Sequence, residues 1–596
     1  MVSLQPGSTK VAMLPYILIV VLAQGVLGRT TSQPHENLPR SFATVNDHHT
    51  AGVFESLHTR VNSIPDPNNV PNTGKVRLYE FTVSRGTVAP DGVERSAILV
   101  NGQFPRPTLE GDWGDTFEIT VHNNITSPKE RTAIHWHSFT HKGRPWYDGV
   151  PAVNFCPIAP GETFVYRFQA DMYGSSWWHG HYSAQVVDGF FGAMVINGPF
   201  SAPYDIDLGP VILTANHHKS YEENLREQFE VPFKTIFADS NLINGKMFFD
   251  CSQVEEGRSC KEDAPISTFD FQPNKTHLLR LINTFGEGTE VFSIDEHNFT
   301  VIAHDFVPVE PYATEYVVLG PGQRTDILVK GTGSPKKSYF ARSIIPPCDP
   351  IHQAEAVAAV YYPGADKTKK PSTETKLSVD VDTCRNDILS KTVPAFAMKP
   401  PAEPAVTQEL KVEIKLNETG HLQVYMNDVS FRANYNFPIL PLVHAGNTSY
   451  PDDPQWNVYN FGSNSSIRIV IINTSELPHP IHMHGHNFWV LAEGRGIWDG
   501  KIVNPENPAR RDTHIMLPAQ GDNPAYFVME FEADNPGVWS LHCHIAWHSA
   551  AGMYLNIIER PDEIQKFEMP HEIVDGCRAW WNYTDHEVVN QIDSGL

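Results

Sequence analysis

Histidine pairs separated by one residue occur in matched places of two distant segments of this chain. The segment ADMYGSSWWHGH (170–181) shares alanine, aspartate, glycine and both histidines in register with ADNPGVWSLHCH (533–544). Upstream of each, TAIHWH (132–137) matches HPIHMH (479–484) in the same way. With 28 histidines in 596 residues, chance would give only about one such pair. The two segments are therefore interpreted as copies of one module.

The rest of the chain predicts an all-β fold of sandwiches or barrels. The 47 prolines and 40 glycines suit many short strands separated by turns. A strand-rich stretch without a histidine pair, about 203–361, separates the two copies, and the stretch near 362–405 indicates a linker. Six β-branched and aromatic runs are the clearest predicted strands: VRLYEFTV (76–83), TFEITVHN (116–123), TFVYRFQA (163–170), HLLRLINT (277–284), IRIVIINT (467–474) and YFVMEFEA (526–533).

The spacing around the cysteine of the HCH pair predicts two metal sites on opposite faces of one strand. Alternate residues of a strand share a face, so Cys543 points away from His542 and His544. The cysteine face offers His479, Cys543, His548 and Met553. Two histidines, a thiolate and a weak axial methionine are the blue-copper donor set.

The opposite face gathers eight imidazoles, which suit about three copper ions with positions open for a small ligand. Zinc sites rarely need eight histidines without a carboxylate, and non-haem iron normally requires one. The first copy of the module keeps its histidine pairs but has Thr132, Gly180 and Gln185 at the positions of the three cysteine-face ligands. The four pairs are His135/His137, His179/His181, His482/His484 and His542/His544, with an overlapping His484/His486.

The start of the chain and its sequons indicate secretion. Lys10 precedes an apolar run (11–28) of secretory length, for which a signal anchor is the alternative; no other stretch is long enough to span a membrane. A net charge of -24 argues against a nucleic-acid partner. Eight N-x-S/T sequons are candidate glycosylation sites: Asn124, Asn274, Asn298, Asn417, Asn447, Asn464, Asn473 and Asn582.

Seven cysteines are an odd number for an oxidising compartment, so six can pair and one is left over. Cys543, between two histidines, is the candidate for the unpaired thiol. The connectivity of the others does not follow from their positions alone.

The motifs HWH, HGH, HPIHMHGH and HCHIAWHSAAGM resemble the four signatures of the multicopper oxidases, specifically ascomycete-type laccases, over roughly 75–565. The resemblance implies three consecutive cupredoxin-like Greek-key β-sandwich domains. The implied organisation is a signal peptide (1–28), an N-terminal extension (29–74), domains at 75–202 and 203–365, a linker (366–405), a domain at 406–565 and a C-terminal segment (566–596). The final DSGL (593–596) resembles the tail that plugs the channel to the three-copper cluster in those laccases.

The resemblance also implies four copper ions and assigns their ligands. Type 1 copper takes His479, Cys543, His548 and axial Met553; type 2 takes His135 and His482; the type 3 pair takes His137, His179, His181, His484, His542 and His544. His141 and His486 match no ligand and are interpreted as structural. Met553 departs from the leucine or phenylalanine common in high-potential laccases and should lower the type 1 potential.

Two carboxylates and three disulfides follow from the same resemblance. Asp148 in WYDGVP matches the acid that relays protons near the cluster, whereas a second acid of the family is Ala546 here. Asp239 resembles the substrate-pocket carboxylate that accepts a phenolic proton, with a turn residue as the alternative. The implied disulfides are Cys156–Cys577, Cys348–Cys384 and Cys251–Cys260.

The function that these features predict is a secreted, extracellular or cell-wall-associated, monomeric laccase-like oxidase. It would take single electrons from phenols or naphthols and reduce dioxygen to water, with pigment or secondary-metabolite coupling as a role by analogy. A ferroxidase is the alternative and would need a carboxylate cluster beside His479 and His548. A cupredoxin-type electron carrier or copper-binding protein without turnover is the alternative of another class, and it leaves eight histidines unexplained.

Overall fold

The strands fall into three consecutive groups along the chain, each made of two sheets. The computed structural model describes residues 64–450 and 454–596, so the predicted signal peptide and most of the predicted extension 29–74 lie outside the described residues. Sandwich 1 contains β1 (Val76–Val88), β2 (Arg95–Val100), β3 (Leu109–Asp112), β4 (Thr116–Asn123), β5 (Ile134–Trp136), β6 (Thr163–Gln169), β7 (Gly174–Gly180) and β8 (Phe191–Asn197).

Sandwiches 2 and 3 complete the strand order. Sandwich 2 contains β9 (Ile206–Asn216), β10 (Ala238–Ile243), β11 (Ser267–Asp270), β12 (Thr276–Asn283), β13 (Glu290–Ile294), β14 (Phe299–His304), β15 (Val307–Thr314), β16 (Val317–Leu319), β17 (Arg324–Lys330), β18 (Ser338–Ile344), β19 (Ile351–Gln353) and β20 (Glu355–Tyr361). Sandwich 3 contains β21 (Val406–Leu416), β22 (Leu422–Met426), β23 (Val458–Asn460), β24 (Ser466–Asn473), β25 (His479–Met483), β26 (Phe488–Arg495), β27 (Ala509–Arg511), β28 (Thr513–Met516), β29 (Ala525–Glu532), β30 (Gly537–Cys543) and β31 (Tyr554–Glu559).

The described helices are short and lie between or after the strands. They are α1 (Tyr221–Gln228), α2 (Ile439–His444), α3 (Ala546–Ala550), α4 (Pro561–Ile564) and α5 (His571–Thr584). Helix α1 begins with a capping box, in which the Ser220 side chain accepts from the Glu223 backbone N–H and Glu223 bonds back to Ser220. No described helix is both long and apolar enough to cross a bilayer.

All six predicted strand runs are confirmed, as β1, β4, β6, β12, β24 and β29. Strand β4 shows why: its side chains alternate between half-buried and buried, with Phe117, Ile119 and Val121 fully buried. Across the sandwich the Phe81 ring lies 5.0 Å from Trp178. Each such side chain contributes roughly 1.5–3 kcal/mol when it leaves water.

One topology is repeated three times. The first strand of each sandwich pairs antiparallel with the second and parallel with the fourth, as in β1–β2 and β1–β4, β9–β10 and β9–β12, and β21–β22 and β21–β24. The second sheets repeat the parallel pairs β3–β8, β11–β20 and β23–β31. The repeat therefore includes sandwich 2, which carries no histidine pair and whose kinship the sequence patterns did not show.

The histidine-bearing sandwiches 1 and 3 share one hydrophobic core, while most of sandwich 2 has its own. Buried polar contacts join sandwich 2 to sandwich 1: the Ser175 hydroxyl donates to Asp326 Oδ1 at 2.5 Å. The predicted linker 366–405 is also packed, because Asn386 is buried, accepts from Gln323 and donates to the Ile515 carbonyl. These contacts fix how the pairs from sandwiches 1 and 3 face each other.

The cysteines are joined as Cys156–Cys577, Cys251–Cys260 and Cys348–Cys384, and Cys543 is a free, buried thiol. Five of the eight sequon asparagines are exposed, and Asn417 and Asn464 are half-buried. Asn473 is the one sequon asparagine of the eight that is buried. Asn473 is fully buried, and its amide donates to the carbonyls of Leu477 and Leu517, so a glycan has no room there.

Candidate metal centre

The cysteine-face donors converge beside β30. Strand β25 supplies His479, β30 ends at Cys543, and α3 carries His548. The Cys543 Sγ lies 3.6 Å from Nδ1 of both histidines, and those two nitrogens are 3.1 Å apart. Met553 is fully buried next to them, and its backbone bonds to Cys543 and to His548. Among the four residues only His548 is partly exposed.

The histidine pairs meet in a second cluster between sandwiches 1 and 3. Antiparallel pairing brings His135 opposite His179 on β5 and β7, and His482 opposite His542 on β25 and β30. The rings of His135 and His484 lie 4.0 Å apart across the two sandwiches. Groups of three donor nitrogens within 4.8 Å of one another include His135/His482/His484, His135/His137/His179 and His181/His484/His542. These groups contain seven of the eight predicted imidazoles, and the ring of the eighth, His544, lies 5.2 Å from that of His137.

Several of these imidazoles have a ring nitrogen that is free to bind a metal. The ring Nε2 atoms of His135, His179 and His482 are buried and have no hydrogen-bond partner. Their Nδ1 atoms bond to backbone carbonyls, which fixes the tautomer and leaves Nε2 free. Burial, reinforced by neighbouring imidazoles, holds the pKa of His179 and of His482 well below its usual range. The rings of His179 and His482 are therefore neutral near pH 7, the state that binds a metal.

The Cys543 thiol needs a cation to ionise. Burial in an apolar environment raises its pKa far above that of a free cysteine. A bound transition metal reverses this preference, because a coordinating thiol is deprotonated outright. The donor set of one thiol, two imidazoles and a buried thioether therefore fits copper.

Two buried carboxylates orient the cluster, and the sequence identified one of them. Asp148 Oδ2 lies 2.9 Å from His484 Nδ1, and its backbone carbonyl lies 2.7 Å from His135 Nδ1. Burial opposes ionisation of Asp148, but the surrounding histidines outweigh it and lower the pKa. Asp512, which the sequence analysis missed, lies 3.2 Å from His137 Nε2 and is held by Arg324 through two 2.8 Å bonds.

The predicted substrate carboxylate Asp239 is partly exposed. It accepts the His218 backbone N–H at 2.7 Å, on the wall of a cavity beside α1. The structure places a different carboxylate, Glu287, against the cysteine site. Its Oε2 accepts from Nε1 of Trp547, the neighbour of His548, at 3.1 Å, and burial raises its pKa well above the usual range. Nothing in the local sequence FGEGTE distinguishes Glu287 from a loop residue.

His141 and His486 lie near the cluster without joining the donor groups described above. His486 Nε2 is 3.2 Å from Glu559 Oε1, and this carboxylate raises the pKa of His486 against the effect of burial. His141 Nε2 is 3.9 Å from Asp148 Oδ1. Both contacts agree with the structural interpretation.

The C-terminal tail is buried beside the donors. The Ser594 hydroxyl donates to the Ser549 carbonyl, and Ser183 donates to Asp593 at 2.6 Å. Leu596 is 3% exposed. Ser549 in turn contacts His542 Nδ1 at 3.3 Å. The four final residues therefore end one side chain away from a predicted copper ligand.

Comparison with known proteins gives one consistent result. Three family models described as multicopper oxidase match residues 82–201, 209–362 and 417–563. The chain is 34% identical over 576 residues to a dihydrogeodin oxidase of Aspergillus terreus, covering 89% of this chain and 92% of that protein. It is 33% identical over 542 residues to Laccase-2 of Botryotinia fuckeliana, covering 88% of this chain and 89% of that protein.

The solved laccase of Botrytis aclada matches with a TM-score of 0.80 and 31% identity over 88% of this chain and 96% of that one. The chain belongs to the multicopper oxidase family. As a laccase-type multicopper oxidase, it is a copper-dependent oxidoreductase that uses dioxygen as electron acceptor. The three sandwiches are its cupredoxin-like domains, and the fold prediction is confirmed.

Proposed function

We propose that this multicopper oxidase is a secreted, monomeric phenol or naphthol oxidase that holds four copper ions. The two separate donor clusters support the proposal: one thiol-containing site near the surface, and one buried set of eight imidazoles. When bound, copper would supply one-electron oxidation at the first cluster and four-electron reduction of dioxygen at the second.

We assign each copper ion to the donor residues that lie close together. We assign type 1 to the cysteine site, type 2 to His135 and His482, and the type 3 pair to the remaining six imidazoles. The close group His181/His484/His542 supports the assignment of one type 3 ion. Cys543 joins the two centres covalently, because its chain neighbours His542 and His544 both belong to the buried cluster.

Residues beside the cysteine site indicate where the substrate binds. His548 is the partly exposed donor, so the substrate contacts its edge. Glu287 accepts a hydrogen bond from Nε1 of Trp547, and burial raises its pKa well above the usual range, which makes its carboxylate a stronger base for a phenolic proton. We assign Glu287, rather than Asp239, as the group that receives the phenolic hydrogen bond. Asp148 contacts His484 and His135, and we assign it as the carboxylate that relays protons to the buried cluster.

Oxygen uptake by the purified holoenzyme tests the proposal, with phenols, naphthols, ferrous iron and ferrocyanide as donors. Glu287→Gln should lower kcat/KM for phenols by roughly 10²-fold, because a positioned acid–base group is lost. It should leave ferrocyanide, which has no proton to give, unchanged. Glu290→Gln is the matched control, since Glu290 bonds to Ser343 and Asn241 instead of Trp547.

An equal loss of kcat/KM for phenols and for ferrocyanide would show that Glu287 supports the structure and does not contact the substrate. Ferrous iron as the preferred donor would favour the ferroxidase alternative. Absence of oxygen uptake with every donor, at full copper loading, would contradict the proposed oxidase and leave the electron carrier.

A further inference from the structure

A further cavity lies away from the cysteine site, where sandwiches 1, 2 and 3 and the segment 396–398 meet. Its volume is about 410 Å³. Aromatic side chains from several segments form much of its wall: Phe168, Tyr173, Phe306, Phe396 and Trp489. Such a mixed apolar cavity has the size and lining of a small-molecule site.

Arg510 is a buried cation on this wall without a direct ion pair, and the nearby carboxylate of Asp66 raises its pKa only through space. Arg510 is 7% exposed; its Nη2 donates to the Phe396 carbonyl at 2.6 Å, and its Nη1 contacts the Met398 sulfur. Its Nε is buried and has no hydrogen-bond partner. Across the two described ranges, 64–450 and 454–596, no carboxylate lies within ion-pair distance of its guanidinium.

Other buried arginines of the same protein show what is missing. Arg324 is held by Asp512 at 2.8 Å, and Arg511 by Asp305 at 3.0 Å. A buried charge without a direct ion pair is destabilising, and a bound anion would offset that loss. Burial lowers the pKa of Arg510 to about 10, which keeps the guanidinium charged at neutral pH.

The remaining polar groups limit the charge and shape of the ligand. Asp171, Glu532 and Asp534 lie on the same walls, so they repel a dianion such as phosphate about twice as strongly as a monoanion. Lys142, at the mouth, is already paired with Asp534 at 2.5 Å. Asn535 is buried, and its Oδ1 has no donor, so it can accept from a ligand hydroxyl.

We propose that this cavity binds a monoanionic aromatic carboxylate, with the carboxylate on Arg510 and the ring between the aromatic walls. A carboxylate accepts the planar Nε–Nη fork of arginine in a bidentate arrangement. The site is distinct from the two donor clusters. His141 separates it from Asp148, at 3.9 Å from Nε2 to Oδ1. The proposal does not depend on the identity of the oxidised substrate.

Calorimetric titration of the holoenzyme with 2-naphthoate, and with the neutral 2-naphthamide, tests the proposal. We expect one naphthoate site per chain and at least about tenfold weaker binding of the amide, because the charge-assisted bond is lost. Arg510→Gln should weaken the binding of naphthoate by a similar factor. Arg144→Gln, at the exposed mouth of the same cavity, is the matched control and should leave binding within about twofold.

A second variant keeps Arg510 and fills the cavity. Met172→Trp, on the half-buried wall, should also abolish naphthoate binding, and it tests the site even if Arg510→Gln does not fold. The proposal is overturned if naphthoate does not bind the parent enzyme, if naphthamide binds as tightly, or if neither variant changes the affinity.

Discussion

Glu290 makes the stability of sandwich 2 dependent on pH, and its effect can be worked out from the structure. Glu290 is fully buried; its Oε2 accepts from Ser343 at 2.5 Å and from Asn241 at 2.9 Å, while Oε1 has no partner. Burial raises its pKa from 4.5 to about 8. The folded protein therefore keeps the neutral acid across a pH range in which the unfolded chain has lost the proton.

The direction follows from proton binding. Between pH 4.5 and about 8 the unfolded state binds fewer protons than the folded state, so the free energy of unfolding falls as pH rises. Each pH unit in this range costs about 1.4 kcal/mol. From pH 5 to pH 7.5 the loss is about 3 kcal/mol as an upper limit, a large share of the stability of a domain.

Glu290→Gln removes this proton linkage while keeping an acceptor for Ser343 and Asn241. We expect the melting temperature of the variant, relative to the parent, to rise by several degrees between pH 5 and pH 7.5 in calorimetric scans at one scan rate. Glu315→Gln, an exposed position, is the matched control and should show no such trend. A constant difference at both pH values, or a relative loss at pH 7.5, would refute the assigned burial of the acid.

Three further outcomes are expected. Met553→Leu should raise the type 1 potential, because a coordinating thioether is lost; an unchanged redox titration contradicts the axial assignment. Replacing Cys156–Cys577 by serines should lower the melting temperature more than replacing Cys251–Cys260, because the closed loops span separations of 421 and 9 residues; equal losses contradict a loop-entropy origin. Deleting 593–596 should lower the melting temperature by a few degrees through the lost burial of Leu596, and oxygen-uptake rates then show whether the tail limits access to the cluster.

The donors were predictable from the sequence because strand periodicity acts locally. One residue between two histidines places both on one face, and the repeat between 132–181 and 479–544 predicted that the pairs belong together. The same logic placed Cys543 on the other face from His542 and His544, and the structure shows contacts in both directions.

The supporting residues were not predictable, because they come from distant segments with no local pattern. Asp512 follows two arginines, which reads as an ordinary charged run, yet Arg324 of sandwich 2 holds it against His137. Glu287 lies in a glycine-containing loop and reaches Trp547 across 260 residues of sequence. Asp239 was chosen by motif, and it lines a cavity beside α1 while one of its oxygens accepts the His218 backbone N–H.

The three sandwiches share one topology but carry different side chains at corresponding positions. In sandwich 1, Thr132 and Gln185 hold the places of His479 and His548, and they still meet, with the Thr132 hydroxyl donating to Gln185 at 2.9 Å. In sandwich 2 the corresponding strands β13 and β18 carry no histidine, and Glu290 and Ser343 bond there instead. The backbones of sandwiches 1 and 3 thus bring the same two positions together, and the side chains decide whether they form a metal site or a hydrogen bond. Because Arg324 of sandwich 2 holds Asp512 against His137, the sandwich without histidine pairs still orients the cluster formed by the other two.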